Sequence, residues 1–504
     1  MIESVLIANR GEIAVRIVRA CRELGIRSVA VYSEVDRHAP HVLLADDAYL
    51  IGPAPSAESY LRVDRLLEVA REAGVEAVHP GYGFLAERAP FAAAVERAGF
   101  IFVGPTADTI SAMGDKTEAR QRMQEAGVPI VPGTTEPLRD ADEATEVARD
   151  MGFPVLLKAA AGGGGKGMRV VHTADELPRA LDAARREAAG AFGDDSVYVE
   201  KYLDRPRHIE IQLLGDTHGN VVHLGERECS IQRRHQKLIE EAPSAALDSQ
   251  LRAAMGEAAV RAAKAVNYRS AGTVEFLFQD GEFFFLEMNT RIQVEHPVTE
   301  FVTGLDLVQW QLRIASGEAL AFTQDEIQTR GHSIECRITS EMPEEGFLPS
   351  TGRIGYLEVP TGPGVRWDGG ISEGFEVGLH YDPLLAKLIV YAPTRKAAIA
   401  RMARALDELT IDGVETCRDF HRRVMGEADY QAGDVTIRYL EQHPEITEAG
   451  REEGRPDRRT VAALAALLEV ERRGSIRPPR IGTSAADRAP SAWQMAGGLR
   501  RLGG

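Results

Sequence analysis

Polar side chains occupy every second position between Phe285 and His296. Because successive side chains of an extended chain point to opposite faces, all of these polar groups would share one face. They are Glu287, Asn289, Arg291, Gln293 and Glu295, whereas the residues expected to face apolar packing are Leu286, Met288, Ile292 and Val294. Carboxylates, amides and a guanidinium on one face have the chemistry to bind both a metal ion and an anion.

A further carboxylate, Glu275, lies on the preceding predicted strand, across a turn at Asp280-Gly281. A two-residue loop would put Glu275 and Glu287 on opposite faces, whereas a three-residue loop with a glycine bulge would put them on the same face. We predict the three-residue loop, because two carboxylates and the amide oxygen of Asn289 would then form an oxygen site for Mg²⁺ or Mn²⁺. Carboxylates that are only solvated at a sheet edge are the alternative.

A run of glycines follows a predicted strand that contains Lys158, and it consists of Gly162, Gly163, Gly164, Gly165, Lys166 and Gly167. The run matches the dinucleotide-binding pattern only formally, because that pattern opens a helix and a strand, Met168–Val171, is predicted here. A Walker A loop also fails, since Ala160 stands at its first glycine position and Gly167 at its Ser/Thr position. Lysines and bare amides at a hairpin tip suit a lid over phosphates. A flexible surface hairpin is the alternative.

The segment from Glu226 to Lys237 is basic within an acidic protein, and its cations are Arg227, Arg233, Arg234, His235 and Lys237. Beside a site for magnesium and a nucleotide, this segment predicts anion binding, with Lys237 as a point charge and arginine as a bidentate fork. A free basic surface patch is the alternative. Cys229 is assigned no role, because a lone cysteine is more often a buried thiol than a nucleophile.

These groups need supporting elements, and the start of the chain alternates between predicted strands and helices. The predicted strands are Val5–Ala8, Ser28–Tyr32, Ala77–His79 and Phe100–Val103, and a helix is predicted from Glu12 to Leu24. Such alternation indicates a parallel sheet in an α/β domain, which we place at residues 1–114. The loop at 79–83 could line a site at the strand ends.

The following residues, 115–203, are predicted to form helices up to residue 148, broken at 127–129, and then a small α+β lid around the glycine hairpin. Its predicted elements are the strands Phe153–Ala159, Met168–Val171 and Val197–Lys201 and the helix Ala174–Gly190. From His208 onward polar and apolar residues alternate, which predicts one solvated face and one apolar face. Residues 204–446 are therefore expected to form a mixed, largely antiparallel domain. The predicted fold class combines α/β and α+β domains.

Composition limits the classes of function. At 504 residues, 44% hydrophobic and 27% charged, the chain has the composition of an ordinary globular protein of about three domains. The net charge of −17 argues against nonspecific nucleic-acid binding, and no apolar run predicts a membrane span. Four scattered cysteines and an N-terminus without signal-peptide features predict a cytoplasmic protein. Residues 447–504, rich in Ala, Arg and Pro, would be a flexible extension or a docking segment, with a helix-like pattern at Thr460–Arg473.

Several motifs together resemble biotin carboxylase, an ATP-grasp enzyme found alone or as the first module of biotin-dependent carboxylases. They are Asn9–Ala14, His79–Glu87, Gly114–Lys116, the residues 158–167, Gln232–Lys237 and Glu287–Pro297. The resemblance extends from residue 1 to about residue 446 and implies an N-terminal α/β domain, an ATP-grasp lid and a C-terminal α+β domain. The chain departs from the family pattern at 338–343, and it contains no Ala-Met-Lys-Met biotinylation sequence. A separate biotin carrier is therefore expected.

The resemblance also implies a role for each matching residue. ATP would be bound by Lys116, Lys158, the glycine run, Glu200, Lys201, Leu203, His208, Gln232, His235, Glu275 and Glu287. Magnesium would be bound by Glu275, Glu287 and Asn289, and bicarbonate by Lys237, Arg291, Gln293 and Val294. The implied catalytic residues are Lys237, Arg291, Glu295 as the general base and Arg337 facing the biotin ureido oxygen.

The reaction implied is the carboxylation of carrier-bound biotin by ATP and bicarbonate through carboxyphosphate, within an acyl-CoA carboxylase system. The implied partners are a biotin carboxyl carrier protein or domain, a carboxyltransferase and a second copy of the chain. The alternatives are an ATP-grasp carboxylate–amine ligase and a regulatory protein that only binds nucleotide. The combination of Lys237, Arg291 and Glu295 disfavours the ligase, and an intact set of catalytic and metal residues disfavours the regulatory protein.

Overall fold

The computed structural model of the chain describes residues 1–134, 136–159, 168–192, 194–448 and 467. The chain divides into two compact units, residues 1–449 and 450–504. The glycine run lies outside the described residues, and so does the predicted tail, except for its first two residues and Leu467, which is helical. All the sheets of the described residues belong to the first unit.

A parallel sheet opens the chain, as the alternation of strands and helices predicted. Its strands are β1 (Ser4–Ile7), β2 (Arg27–Ser33), β3 (Asp47–Gly52), β4 (Ala77–His79) and β5 (Ile101–Phe102), and its helices are α1 (Gly11–Leu24), α2 (Pro40–Leu44), α3 (Val63–Glu72), α4 (Ala89–Arg97) and α5 (Ala107–Gly114). The strand order is β3-β2-β1-β4-β5, with all neighbours parallel. The edge strand β3 is missing from the sequence prediction, because only Ile51 among its residues is buried.

The middle of the chain forms helices around a small antiparallel sheet. Its elements are α6 (Lys116–Glu125), α7 (Ala141–Met151), β6 (Val155–Ala159), β7 (Met168–Val171), α8 (Leu177–Phe192) and β8 (Val197–Lys201). Strand β6 is central and pairs antiparallel with both β7 and β8, as the predicted hairpin requires. The break between helices is longer than predicted, because the chain beyond Val128 forms backbone hydrogen bonds to Phe285 and Lys201 instead of a helix.

An antiparallel sheet of eight strands forms the largest layer of the described residues. The elements of this part are β9 (Arg207–Gly215), β10 (Val221–Arg233), β11 (Gln236–Ala242), α9 (Ser249–Ala265), β12 (Ser270–Gln279), β13 (Glu282–Asn289), α10 (His296–Thr303), α11 (Leu307–Ala315), β14 (His332–Thr339), β15 (Glu341–Met342), β16 (Leu348–Pro349), β17 (Gly352–Arg353), β18 (Tyr356–Glu358), β19 (Val365–Gly369), β20 (Glu376–Val377), β21 (Leu384–Ala392), α12 (Arg395–Glu408), β22 (Thr410–Asp412), α13 (Arg418–Gly426), α14 (Ala428–Ala432), α15 (Tyr439–Gln442) and α16 (Pro444–Glu448). The order of the large sheet is β13-β12-β9-β10-β11-β14-β21-β19. None of the helices among the described residues has the length and apolar character needed to cross a bilayer.

The polar side of β9 is buried, which corrects the prediction of a solvated face. Glu210 and Gln212 are 0% exposed, and His208 is 6% exposed. Their partners are charged side chains from neighbouring strands, among them Arg227 and Lys237, rather than solvent. Polar groups buried on one side of a sheet indicate an internal site, because each of them must find a partner within the protein.

Helix α1 joins the parallel sheet to the large sheet. Its apolar stripe, which includes Ile13 and Ile17, is buried in a core shared with Leu214 of β9 and Leu307 of α11. The helix ends at Leu24, because the next residue, Gly25, adopts a φ of 71°, the left-handed conformation that suits glycine. This shared core fixes the loops at the strand ends of the parallel sheet beside the polar side of the large sheet.

Candidate active site

The hairpin of β12 and β13 brings Glu275 and Glu287 to the same face, as predicted, but by a different route. The turn has only two residues, Asp280 and Gly281, both with positive φ, so the predicted three-residue loop is wrong. A β-bulge adds Leu286 to β13 between the paired positions, and Glu275 is consequently directly opposite Glu287. The bulge, and not the turn, sets the register that the site needs.

The second half of the polar motif is positioned by a turn and not by an extended strand. Strand β13 ends at Asn289, so the predicted alternation does not continue to Glu295. Leu286 is 40% exposed instead of packed, because it is the extra residue of the bulge. The polar groups nevertheless converge, since Asn289 Nδ2 and Gln293 Nε2 both donate to Glu275 Oε1, at 2.9 and 2.7 Å.

Lys237 lies at the centre of this cluster. Its Nζ contacts Glu210 at 2.5 Å, Glu275 at 2.8 Å and Glu295 at 2.7 Å. Burial by itself would lower the pKa of Lys237, but the three carboxylates outweigh burial and hold the pKa well above its ordinary value. Glu210 is a residue of the site to which the sequence analysis gave no role, although its place in the polar alternation of β9 was a signal.

Arg337 reaches the same cluster from strand β14. Its Nε donates to Glu240 Oε1 at 2.6 Å, and its Nη2 donates to Glu295 Oε2 at 2.7 Å. Burial would raise the pKa of Glu295, but Lys237 and Arg337 outweigh it and hold the pKa well below the ordinary value. Glu295 is therefore an ionised carboxylate between two cations, in a place where an anion could also bind.

The basic segment before Lys237 does not form one anion site. Arg227 is 0% exposed, and its nitrogens donate to Glu210, Gln212, Thr273, Gln293 and Thr299. Arg233 donates to the carbonyl of Gly346 at 2.6 Å, while Arg234 and His235 form an exposed turn. Within this segment, Lys237 forms ion pairs with the carboxylates of the cluster. Arg227 is buried inside the sheet and orients the polar side chains of the cluster through its hydrogen bonds.

Three of the residues predicted to bind the nucleotide, Lys158, Glu200 and Lys201, lie on the small sheet. Lys158 of β6 makes an ion pair with Glu200 of β8, and Glu200 also pairs with Arg120 at 3.1 Å. His208 contacts the carboxylate cluster around Lys237, because its Nε2 lies 2.9 Å from Glu275 Oε2. Other residues predicted to bind the nucleotide are Lys116, Leu203, Gln232 and His235, of which Lys116 and His235 are exposed.

Arg291 is held by groups from two parts of the molecule. Its Nε donates to Glu87 Oε2 at 2.8 Å, and its Nη2 donates to Asn289 Oδ1 at 2.8 Å. Glu87 precedes α4 in the N-terminal part of the chain and also accepts from the backbone N–H of Thr290 at 3.1 Å. The N-terminal loops thereby fix the orientation of a guanidinium at the edge of the cluster.

Glu275 and Glu287 fit a divalent cation. Glu275 and Glu287 are directly opposite residues, and Glu287 is exposed, so a cation could reach the pair from that side. Asn289 directs its amide nitrogen to Glu275 and its oxygen to Arg291, and it would supply a third oxygen only with its amide turned. Carboxylate and amide oxygens are ligands suited to Mg²⁺ or Mn²⁺.

Family models match three consecutive parts of the chain. They are the N-terminal domain of biotin carboxylase over residues 1–110, the ATP binding domain of the carbamoyl-phosphate synthase L chain over 115–323, and the C-terminal domain of biotin carboxylase over 335–442. The chain is also 53% identical over 442 residues to the biotin carboxylase of Haemophilus influenzae, which covers 88% of this chain and 98% of that protein. This chain belongs to the biotin carboxylase family.

Similar proteins of this family include subunits of other carboxylases. A pyruvate carboxylase subunit of Methanothermobacter thermautotrophicus is 54% identical over 444 residues, which are 88% of this chain and 90% of that protein. The 2-oxoglutarate carboxylase small subunit of Hydrogenobacter thermophilus is 49% identical over 469 residues, which are 93% of this chain and 99% of that protein. These relatives are named as subunits of carboxylases with different acceptors.

Solved biotin carboxylase structures share the fold. The biotin carboxylase domain of the Hydrogenobacter thermophilus 2-oxoglutarate carboxylase, a dimer in complex with MgADP, ADP and bicarbonate, is 50% identical, with a TM-score of 0.81 over 89% of this chain and 99% of that chain. A β,γ-ATP complex of the Campylobacter jejuni biotin carboxylase gives 46% identity and a TM-score of 0.82 over 88% of this chain and 99% of that chain. The predicted ATP-grasp fold class and the enzyme class, an ATP-dependent ligase, are confirmed. ATP, magnesium and biotin, the predicted cofactors, are those of this family.

Proposed function

We propose that this chain carboxylates biotin on a separate carrier, using ATP and bicarbonate and passing through carboxyphosphate. The observation that supports this function most directly is the convergence of Lys237 and Arg337 on the buried carboxylate of Glu295. A base between two cations can remove a proton from bicarbonate while the cations hold the anion in place. This combination is what a poor nucleophile such as bicarbonate needs.

Bicarbonate would bind beside Lys237, with Arg291, Gln293 and the backbone of Val294 as its other contacts. The backbone at Val294 is fixed from behind, because the buried Nζ of Lys387 donates to its carbonyl at 2.8 Å. Rigid donors around a small anion lower the entropy that must be lost when the reacting atoms are aligned.

Glu295 would act as the general base. Its low pKa keeps it ionised at neutral pH, and a bound bicarbonate that shares Lys237 would weaken the stabilisation of the carboxylate and so raise its basicity. The proton passes from the bicarbonate O–H to an oxygen of Glu295. The bicarbonate oxygen then bonds to the γ-phosphorus of ATP while the bond from that phosphorus to ADP breaks.

The phosphates of ATP would be bound by Lys116, Lys158 and the glycine run, with Glu200, Lys201 and Leu203 near adenine and His208, Gln232 and His235 along the ribose and phosphates. Lys158 would exchange its partner Glu200 for phosphate oxygens. Glu275 and Glu287, with Asn289, would hold magnesium, which neutralises charge on the transferred phosphoryl group.

Arg337 would face the ureido oxygen of biotin. Its side chain is 12% exposed, so one edge of the guanidinium is accessible while the other is bound to Glu240 and Glu295. Carboxyphosphate breaks down to CO₂ and phosphate, and the phosphate takes the proton from the biotin nitrogen that then attacks CO₂. Arg337 would stabilise the negative charge that develops on the ureido oxygen during this step.

The proposed partners are a biotin carboxyl carrier protein or domain and a carboxyltransferase, with an acyl-CoA as the final acceptor, in the cytoplasm. We further propose a homodimer, in line with the domain dimer of the Hydrogenobacter thermophilus relative. Pyruvate and 2-oxoglutarate, for which similar proteins are named, are the second candidates for the acceptor. The proposed domains are residues 1–114, 115–203 and 204–446, followed by the tail 447–504.

Hydrolysis of ATP by the purified chain, with magnesium and bicarbonate and with or without free biotin, tests this function. We expect phosphate release that requires bicarbonate and rises with biotin, and a decrease of about 100-fold or more in Glu295→Ala. Glu282→Ala, at an exposed residue of the same hairpin, is the control and should keep full activity. Hydrolysis indifferent to bicarbonate and biotin would contradict the proposal and favour an amine acceptor. Partners that co-purify, assayed with acyl-CoA, pyruvate and 2-oxoglutarate, identify the final acceptor.

A further inference from the structure

Behind Arg337, two carboxyl side chains lie side by side in the middle of the large sheet. Glu240 of β11 and Glu335 of β14 are directly opposite residues in the antiparallel pairing of these strands. Both are 0% exposed. Directly opposite residues of antiparallel strands carry their side chains on the same face, with Cβ atoms about 5 Å apart. The two carboxyl groups are therefore neighbours.

Most of the oxygens of this pair have no hydrogen-bond partner among the described residues. Glu240 Oε1 accepts from Arg337, but Glu240 Oε2 and both carboxyl oxygens of Glu335 accept from no donor in the described part of the chain. A buried carboxylate without donors is unfavourable, and two adjacent carboxylates also repel each other. One proton removes the repulsion and reduces the first penalty, because a protonated carboxyl group is uncharged and has an O–H to donate to the other group.

Glu335 is the member of the pair that suits the proton. Glu240 faces the guanidinium of Arg337, which favours its ionised form, whereas Glu335 contacts no cation among the described residues. Burial raises the pKa of Glu335 well above its ordinary value; the charges of Lys387 and Arg337 oppose this, and those of Glu240 and Glu295 add to it. Burial also raises the pKa of Glu240, to about 7, against the attraction of Arg337.

The charged groups around Glu335 already form hydrogen bonds or ion pairs with other residues. Lys387 of β21 donates to the carbonyl of Val294 and pairs with Glu12, and Arg337 of β14 binds Glu240 and Glu295. Helix α10 covers this face through Val298 and Val302. Its buried His296 directs Nδ1 to the carbonyl of Gln293 at 2.8 Å and Nε2 toward Glu300 at 4.0 Å.

We propose that Glu335 is protonated at neutral pH and donates its hydrogen to Glu240 Oε2, and that it is thereby a positioning residue for Arg337. The pair then carries a single negative charge, located on Glu240 and matched to the guanidinium of Arg337. Arg337 in turn is oriented against Glu295. This inference rests on the proposed function, in which Arg337 meets biotin, although Glu335 itself touches no reacting group.

Infrared spectroscopy tests the proton directly and does not depend on activity. The C=O stretch of a protonated carboxyl group should be present in the full chain at pH 7 and should disappear in Glu335→Gln. Loss of an ionised carboxylate band instead, or no loss of a protonated band, would overturn the inference. Because wild-type turnover is measured separately, an inactive wild type would contradict the proposed function while the spectrum still decides the state of Glu335.

Kinetics test the positioning role. The amide of Glu335→Gln can donate the same hydrogen bond, so we expect its KM for free biotin to stay within about twofold of wild type, whereas Glu335→Met, which cannot donate, should raise it about tenfold or more. If Glu335 had a purely structural role, the two variants would have the same KM once their folded fractions are equal. Thermal unfolding measures the folded fraction of each variant. Equal impairment of both variants would overturn the proposal. If Glu335→Met does not fold, the Gln variant and the infrared band still decide.

Discussion

Lys237 is shared by three carboxylates, and each of these carboxylates has a second basic partner of its own. Glu210 bonds Arg227, Glu275 pairs with His208, and Glu295 pairs with Arg337, as the structure shows. Buried charges of this kind are stable only while the set is complete, because removing one charge leaves others unpaired in a medium of low dielectric constant. The residues that would perform the chemistry therefore also stabilise the fold.

Replacing Lys237 by methionine should lower both activity and the free energy of unfolding. We expect Lys237→Met to lose bicarbonate-dependent hydrolysis and to destabilise the protein by about 3 kcal/mol, since removal of one partner from a buried ion pair has an effect of this size. Urea denaturation measures the second effect. Lys264→Met, at an exposed lysine of α9, should change neither quantity. Equal free energies of unfolding for wild type and Lys237→Met would contradict the inference that the buried charges of this cluster stabilise the fold only together.

At the level of elements, the bulge in β13 decides which side chains face the site. Because Leu286 is the extra residue, deleting it alone would leave a regular ladder in which Glu287 stays opposite Glu275, and this variant should remain active. Deleting Phe285 and Leu286 together would move every following side chain by one position and turn Glu287 away from Glu275. We expect the double deletion to weaken the magnesium dependence of hydrolysis and to reduce turnover about 100-fold or more, because the metal ligands and the base would lose their common face. A folded double-deletion variant with normal turnover would contradict this role of the register.

The same hairpin shows what sequence alone could predict. The alternation of polar residues identified Glu287, Asn289 and Gln293 correctly as neighbours of Glu275, because chemistry required them on one face. The bulge could not be predicted, since it depends on pairing with a strand whose register is set elsewhere. The strands and helices predicted for residues 1–203 followed mainly from periodicity. Strand β3 was missed because only Ile51 among its residues is buried, and the extended chain after Val128 was missed because its partners, Phe285 and Lys201, are distant in sequence.

Residues of the site such as Glu240 and Lys387 were missed for a related reason. Lys387 lies in a strand that is otherwise apolar, whereas Glu240 lies in a strand that mixes polar and apolar residues, and in both strands nothing local distinguishes a buried ion pair from an isolated charge. Only the packing of β11, β14 and β21 side by side places Glu240 next to Arg337 and Lys387 behind Val294.

At the scale of the whole molecule, the first and last thirds of the unit 1–449 are joined behind the site. Glu12, in the first turn of α1, pairs with Lys387 of β21 at 3.1 Å, and Tyr82 donates a hydrogen bond to the same carboxylate. Gly370 packs against this turn so closely that a Cβ atom there would lie 2.7 Å from the backbone nitrogen of Glu12. A buried ion pair thus couples the position of the N-terminal loops to the strand that supports Val294.

This coupling predicts a pH dependence of stability. Burial raises the pKa of Glu12 to about 7, against the attraction of Lys387, so the folded chain binds a proton more tightly than the unfolded chain does. The resulting stabilisation is complete below the ordinary pKa of 4.5 and is lost as the pH rises through about 7. At about 1.4 kcal/mol per pKa unit, the loss amounts to about 3 kcal/mol. As the pH rises, the free energy of unfolding of wild type, relative to that of Glu12→Gln, should fall by up to this amount.

Urea denaturation at pH 5 and pH 8 measures this difference for wild type, Glu12→Gln and a control, Glu72→Gln, at an exposed residue of α3. Other buried carboxyl groups, Glu240 among them, also titrate in this range, but they are common to wild type and variant and cancel in the comparison. The control should follow wild type at both pH values. Parallel curves for wild type and Glu12→Gln would mean that Glu12 is ionised throughout, and that Lys387 fully compensates its burial.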